Sequence, residues 1–506
     1  MGYLQRSLWV CTLLWGSIIP WLSTRPPLID LPQHAGQIAL LADYFSDNPI
    51  WSGLVSPNFI TPYLIAYLLI YLLNQYFSIL VAIKIVLSLS YVGFVGSCVL
   101  LRKEFNSNPQ CDWLFLIGYF GFAWTFGFIS FLFAAPIGLM LIWTTCRFLS
   151  TKKTQWAILM MVMGVTLILS HGLMFGFIFL ISAGIYIQYS YLNGYSTKIF
   201  LPFLMLMVAC ILFLGIASHF QPKDINDGFE FLEMYWNYNF ASRVKEFFVY
   251  PLDQTLRWGL PFVPLLMVAP LLLPGRFNSL KNPSLIPFIV FLGVFFFGPT
   301  YALKIQYLFQ RFAIFLLPFF SFLFIAESKN TKSNNHSEFN IRIAQAIMIC
   351  CVWIQYWTVS AELKAFSKES NTFENLLNNL EPMERALYFP INAESDAQNR
   401  GNIYLHYGQW YQAEKNGFVD FNFAWTPAMI MRFTDANPTP IKPGFEWEPA
   451  KFNWLTHNGN LYRYFIIKSK KEINPTVFFE GALCVPTRVF KKDEWQVYER
   501  SACSKS

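Results

Sequence analysis

Long apolar stretches separated by short polar connectors dominate the first 360 residues. Runs suited to crossing a bilayer cover roughly 8–23, 78–101, 113–129, 130–149, 156–170, 172–189, 199–217, 258–273, 284–302, 312–326 and 341–360. Several approach the lower limit of about 17 residues for a helical span. The pattern therefore predicts a mainly α fold, a polytopic transmembrane helical bundle of about 11 spans, with re-entrant pairs as the alternative near Gly127 and His171. Past residue 360 the pattern changes. Residues 371–388 read as a helix, a proline turn and a strand, and 460–468, 475–479 and 495–500 alternate or are β-branched enough for strands. A small α/β domain is expected over 361–506, with an all-β alternative.

A twelfth apolar stretch, 59–77, is assigned by charge. If it does not cross, the loops carrying Arg102 and Lys103, Arg147 with Lys152 and Lys153, Lys198, Arg276 with Lys281, and Lys329 with Lys332 all lie on the N-terminal, cytoplasmic side. If it crosses, all of them move outside, against the positive-inside rule. Residues 59–77 are therefore expected in the outer interface or as a re-entrant hairpin. Tyr63, Tyr67, Tyr71, Tyr76 and neighbouring Tyr44 suit headgroup depth. The outer face then carries an external first loop at 24–77, the turn at His171, loop 218–257, the turn at 299–311 and the C-terminal domain.

Composition agrees with a membrane protein: 55% of residues are apolar and 13% charged, against about 25% charged in soluble domains. Residues 361–506 hold 17 basic and 17 acidic residues, so the whole +7 excess belongs to the first 360. A cationic excess in short loops reports cytoplasmic retention, and no basic run interleaved with aromatics points to nucleic acid. Arg6 precedes an apolar run with no small-residue cleavage pattern, so the N-terminus reads as an uncleaved anchor. None of the nine cysteines forms a C-x-x-C pair, which argues against zinc-ribbon and redox motifs. Cys484 and Cys503 stand alone in the last domain, where a disulfide closing roughly 20 residues would add about 3 kcal/mol. The Asn-Pro-Thr sites at Asn437 and Asn474 cannot be glycosylated, which fits a bacterial inner membrane.

The segment Arg25–Pro49 holds the most informative chemistry. Pro32 suits a helix first turn, and Ile38, Leu41 and Tyr44 or Phe45 recur at helical spacing, predicting an external amphipathic helix. Asp30 and His34 are four apart at its start. Asp30 is either a helix cap or a carboxylate that takes a proton from a hydroxyl or amine, or binds a divalent metal beside His34.

An N-terminal anchor, an external loop with an acid in a D-x-P-x-H setting (Asp30 to His34), many spans and an external C-terminal domain resemble the GT-C superfamily of membrane glycosyltransferases. The 59–77 stretch is similar to the segment following that loop in the family. FGFISFLFAAPIGL, 126–139, resembles a span of uncharacterised bacterial members. The resemblance implies transfer of a sugar from a polyprenyl-phosphate carrier, with Asp30 as the acid acting on the acceptor or on a divalent metal. The family pattern of two adjacent acids is missing, since Ile29 and Leu31 flank Asp30, which leaves Asp43 or Asp47 to supply a second carboxylate.

Lys304 and Arg311, seven apart in an outer turn, are candidates for donor phosphate, with headgroup snorkelling as the alternative. His171 is a helix-end histidine or part of the site. His219, Lys223, Asp224, Glu230, Glu233 and the aromatic run 234–240 offer an acceptor or sugar platform in the second outer loop. His406, Tyr407 and Trp410 stand isolated without an assigned role. Two other classes compete: a lipid or solute transporter or flippase, and a non-catalytic envelope protein. Few charges apart from Lys84 sit at membrane depth and no internal repeat is present, which favours surface chemistry on membrane lipids over a transport pathway.

Overall fold

The computed structural model describes residues 3–219, 234–236, 239–253, 262–279, 281–302, 305–326, 338–398, 401–426, 428–434 and 439–500. The chain divides into two compact units. One takes residues up to 20, 85–219 and the described residues from 234 to 361; the other takes 21–84 and 362 onward.

In the first unit, helices dominate because apolar runs without water must satisfy their own backbone. Among the described residues of the whole chain, five helical segments are long and apolar enough to cross a membrane: Ile79–Glu104, Ile129–Thr151, Gly172–Asn193, Thr197–Ala217 and Glu338–Asn378. Shorter apolar helices are Leu64–Asn74, Thr154–Ser170, Phe262–Leu272, Leu285–Phe297 and Gln310–Ser321. The expected run 113–129 is not one helix. It breaks into 3-10 turns at Pro109–Trp113 and Gly118–Phe120 and short helices Leu114–Ile117 and Phe122–Phe126. The break has a packing cause: a Cβ on Gly121 would meet the carbonyl oxygens of Tyr250 and Pro251 at 2.6 and 2.4 Å, and Gly127 ends the segment at φ 75°. By contrast Ile129–Thr151 is mostly buried, whereas Thr197–Ala217 leaves most of its surface outward, as a lipid-facing helix does.

In the second unit, a five-stranded sheet is built from β1 (Arg385–Pro390), β2 (Phe418–Asp420), β3 (Tyr464–Lys468), β4 (Thr487–Lys492) and β5 (Trp495–Glu499). Its order is β2-β1-β3-β5-β4. The β1 pairings to β2 and β3 are parallel, with Ala386 opposite Tyr464, and those to β5 are antiparallel, with Tyr464 opposite Glu499. One face buries Leu387, Phe389, Phe465, Ile467, Trp454 and Phe479. The expected strand at 475–479 is a short helix, Pro475–Phe478. Asn474 accepts a hydrogen bond from the Thr476 amide, and Pro475 opens the first turn. Cys484 is disulfide-bonded, while its expected partner Cys503 lies outside the described residues.

Residues 21–84 fold with this sheet rather than standing as a separate loop. The helix Leu31–Tyr44 is not amphipathic in its surroundings, since 12 of its 14 residues are buried. Its polar side is clad by residues 409–434. The amides of Phe423 and Met431 donate to Gln33 Oε1 and Gln37 Oε1 at 3.0 and 2.9 Å. The strand Val55–Pro57 pairs antiparallel with Met431–Phe433. Gly36 permits close approach to the Gln409–Lys415 helix, because a Cβ there would lie 2.7 Å from Gln412 Nε2. The Leu64–Asn74 helix has 11 residues, about 16 Å long, roughly half the ~30 Å hydrocarbon thickness.

Arg25 ties the start of the segment down. Its Nε and Nη2 donate to both oxygens of Glu414 at 2.6 and 2.8 Å, and Nη2 also reaches Glu374 at 2.7 Å. Burial disfavours the charge, but the two carboxylates outweigh it and hold the guanidinium pKa above its ordinary value. Arg25→Ala is expected to destabilise this unit by about 2 kcal/mol in detergent unfolding experiments. That is below the roughly 3–5 kcal/mol of a fully buried pair, because the Glu374 side chain is 46% exposed.

Candidate active site

Asp30 sits at the N-cap position of Leu31–Tyr44 but does not act as a cap. An N-cap side chain normally accepts from the amide two or three residues on. The second helical residue is Pro32, which has no N–H, and Asp30 itself has φ −90° and ψ −8°, inside the helical region, with no side-chain cap hydrogen bond. The carboxylate therefore turns elsewhere. Its Oδ1 lies 3.6 Å from His406 Nε2, with the Asp30 side chain 18% exposed. That separation suits an ion pair, yet burial pushes the His406 pKa down to about 3, so at neutral pH the ring is uncharged. His406 Nδ1 faces Gln33 Nε2 at 3.3 Å.

His34, expected beside Asp30, is buried, with Nδ1 2.5 Å from the Tyr67 hydroxyl, which also donates to Met429 Sδ at 3.2 Å. Tyr67 belongs to the 59–77 stretch read as interfacial, and its ring is enclosed in this unit. Phe423 packs edge-on against both His34 and His406.

Asp43 serves the fold. One oxygen accepts from the Ile50 amide and Asn416 Nδ2, the other from the Trp51 amide at 2.9 Å. With its lone pairs directed at these donors it is poorly placed to be the second acid. Asp47 is exposed in the following turn. Among the described residues, no three His, Cys, Asp or Glu side chains stand together as a metal set.

This arrangement lies in a chain whose architecture is shared with solved membrane enzymes. ArnT from Cupriavidus metallidurans bound to undecaprenyl phosphate is similar over 99% of this chain and 99% of its own, at 10% identity and TM-score 0.55. The arabinofuranosyltransferase AftD from Mycobacteria is similar over 98% of this chain, at 12% identity and TM-score 0.50. The chain shares the fold of these two enzymes.

The chain spans about 40% of the length of AftD. No protein-family model matches its sequence, and no curated protein is similar to it in sequence. The fold and its apolar helices make it an integral membrane protein.

In the other unit, His171 caps the helix Gly172–Asn193, its Nδ1 accepting from the Met174 amide at 3.3 Å, and its ring packs edge-on against Phe131. Arg311 is buried. Its guanidinium stacks 3.7 Å over Phe128 and donates to the carbonyls of Gln306 and Tyr307 at 2.9 and 3.3 Å. Lys304, His219, Lys223, Asp224, Glu230 and Glu233 lie outside the residues whose side chains are described. Nothing local in the sequence marks His406; its place beside Asp30 comes from the fold.

The two first-loop acids should separate cleanly in thermal unfolding of the purified protein. Asp43→Ala strands three donors and should cost about 2–3 kcal/mol. Asp30→Ala removes no cap hydrogen bond and should cost less than Asp43→Ala.

Proposed function

We propose that this protein is a membrane glycosyltransferase that moves a sugar from a polyprenyl-phosphate donor to an acceptor on the extracytoplasmic face, with the N-terminus cytoplasmic and the C-terminal domain outside. One observation carries the reading: within a GT-C fold, the first-loop Asp30 carboxylate is not spent on capping its helix and is held beside a neutral imidazole. ArnT binding undecaprenyl phosphate supports the donor class, and the cationic short loops of the first 360 residues support the orientation.

The reaction is a single displacement. Asp30 takes the proton from an acceptor hydroxyl, the oxygen bonds to the anomeric carbon, and the bond from that carbon to the phosphate oxygen breaks. Polyprenyl phosphate leaves with the electron pair. A single displacement inverts the anomeric centre. Charge builds up on the leaving phosphate, so fixed cations there lower the barrier. Arg311 and Lys304 are our candidates for that role. Arg311 already spends two donors on its own loop, so it would serve mainly as a charge in a low-dielectric setting.

A deletion strain complemented with variants and profiled for glycolipids and glycans tests this. Asp30→Asn keeps shape but cannot act as a base, and should lower product about 100-fold or more at normal protein levels. Full complementation by Asp30→Asn would overturn the proposal.

A further inference from the structure

We infer that His406 is a positioning residue: its Nε2–H holds the Asp30 carboxylate in its working orientation, and Gln33 fixes the tautomer that makes this possible. The inference rests on the transferase reading for Asp30 and adds a residue from the far end of the chain.

One backbone amide sets the tautomer. The Phe423 N–H donates to Gln33 Oε1 at 3.0 Å, which fixes the orientation of that side-chain amide. Gln33 Nε2 is then the donor end, also facing the Phe421 carbonyl at 3.5 Å. His406 Nδ1, 3.3 Å from that donor, must accept. A neutral imidazole accepting at Nδ1 carries its proton on Nε2, and Nε2 is the atom that faces Asp30 Oδ1. At 3.6 Å the contact is longer than a closed hydrogen bond, and catalytic contacts of this kind tighten when substrate fills the site. Donation favours the ionised carboxylate, the form needed to accept a proton. Because the ring is uncharged, it can orient Asp30 without competing with it as an acid.

The packing around His406 supports a fixed ring. It is 6% exposed, and Phe421 and Phe423 bound it at centroid distances of 6.1 and 5.5 Å. The titratable groups facing this region are Asp30 from the start of the first-loop helix, Tyr67 from the helix Leu64–Asn74, and Asp420 and Glu446, which line a small cleft together with Gln33 and His406. Asp420 is bound by Arg385, Thr439 and Tyr462. Burial raises Glu446 to about 7, so its titration must be told apart from that of Asp30.

The test reads Asp30 directly in the purified full chain and needs no substrate. Infrared difference spectra of protein with carboxyl-labelled aspartate, wild type minus Asp30→Asn, follow protonation of this one carboxylate with pH, and aspartate labelling leaves Glu446 silent. In His406→Ala the midpoint should rise by about one unit, since the donor that favours the charged form is gone. His406→Gln, whose Nε2 places a donor near the same point, should restore the wild-type midpoint. Gln33→Leu, with His406 intact, should also raise it, because Nδ1 is then free to take the proton. In parallel, turnover of an undecaprenyl-phosphoryl pentose should fall about tenfold in His406→Ala through kcat, with KM little changed, as expected of lost orientation. An unchanged midpoint in both His406→Ala and Gln33→Leu would overturn the inference. Full activity of Asp30→Asn would instead overturn the transferase reading, so the two failures are distinct.

Discussion

The helix Leu31–Tyr44 is enclosed on nearly every side, and that enclosure is what the candidate site depends on. A helix start carries amides that need partners, and this one brings Gln33, His34 and Gln37 into the interior as well. Partners offset much of that cost: Gln33 and Gln37 accept backbone N–H groups from Phe423 and Met431 at their Oε1 atoms, almost 400 residues later, and His34 pairs with Tyr67. Polar groups that would disfavour burial alone thereby lock the register between the first-loop helix and the segment 409–434.

Function follows from the same pairing. Pro32 removes one of the two amides that a capping Asp30 would reach, and the Asp30 side chain makes no cap hydrogen bond. The glutamine that docks the helix also engages His406, and His406 faces Asp30. Docking, tautomer and carboxylate orientation thus belong to one connected set, with Arg25 and Asp43 bracing its two ends through Glu414, Glu374 and the Ile50 and Trp51 amides. A loose C-terminal segment would leave Asp30 without its neighbour.

Local pattern revealed the location of this helix but not its burial. Pro32 and the apolar spacing place Leu31–Tyr44 correctly, yet the helix expected to be amphipathic is buried on its polar side too, because the partners of Gln33, His34 and Gln37 are remote in sequence. His406 carried no local signal for the same reason. The GT-C layout was legible from the order of anchor, acidic loop, spans and polar C-terminus, and the structural neighbours share that fold. Hydropathy overcounted where apolar residues follow a broken path: 113–129 is interrupted where Gly121 admits the backbone of Tyr250 and Pro251. At 475–479 the β-branched and aromatic composition lost to the Asn474 cap and Pro475, a signal present in the sequence and outweighed there by residue preference.

In the proposed reaction the bond between a sugar and a lipid phosphate breaks. The most direct measurement is the release of undecaprenyl phosphate from a panel of undecaprenyl-phosphoryl pentoses and hexoses by the purified protein in nanodiscs containing lipid extract from its own membrane as acceptor source. The account predicts chain-dependent release from at least one donor, with the sugar recovered in a glycoside of inverted anomeric configuration. Absence of release from every donor in the panel, by protein that remains folded, would contradict it.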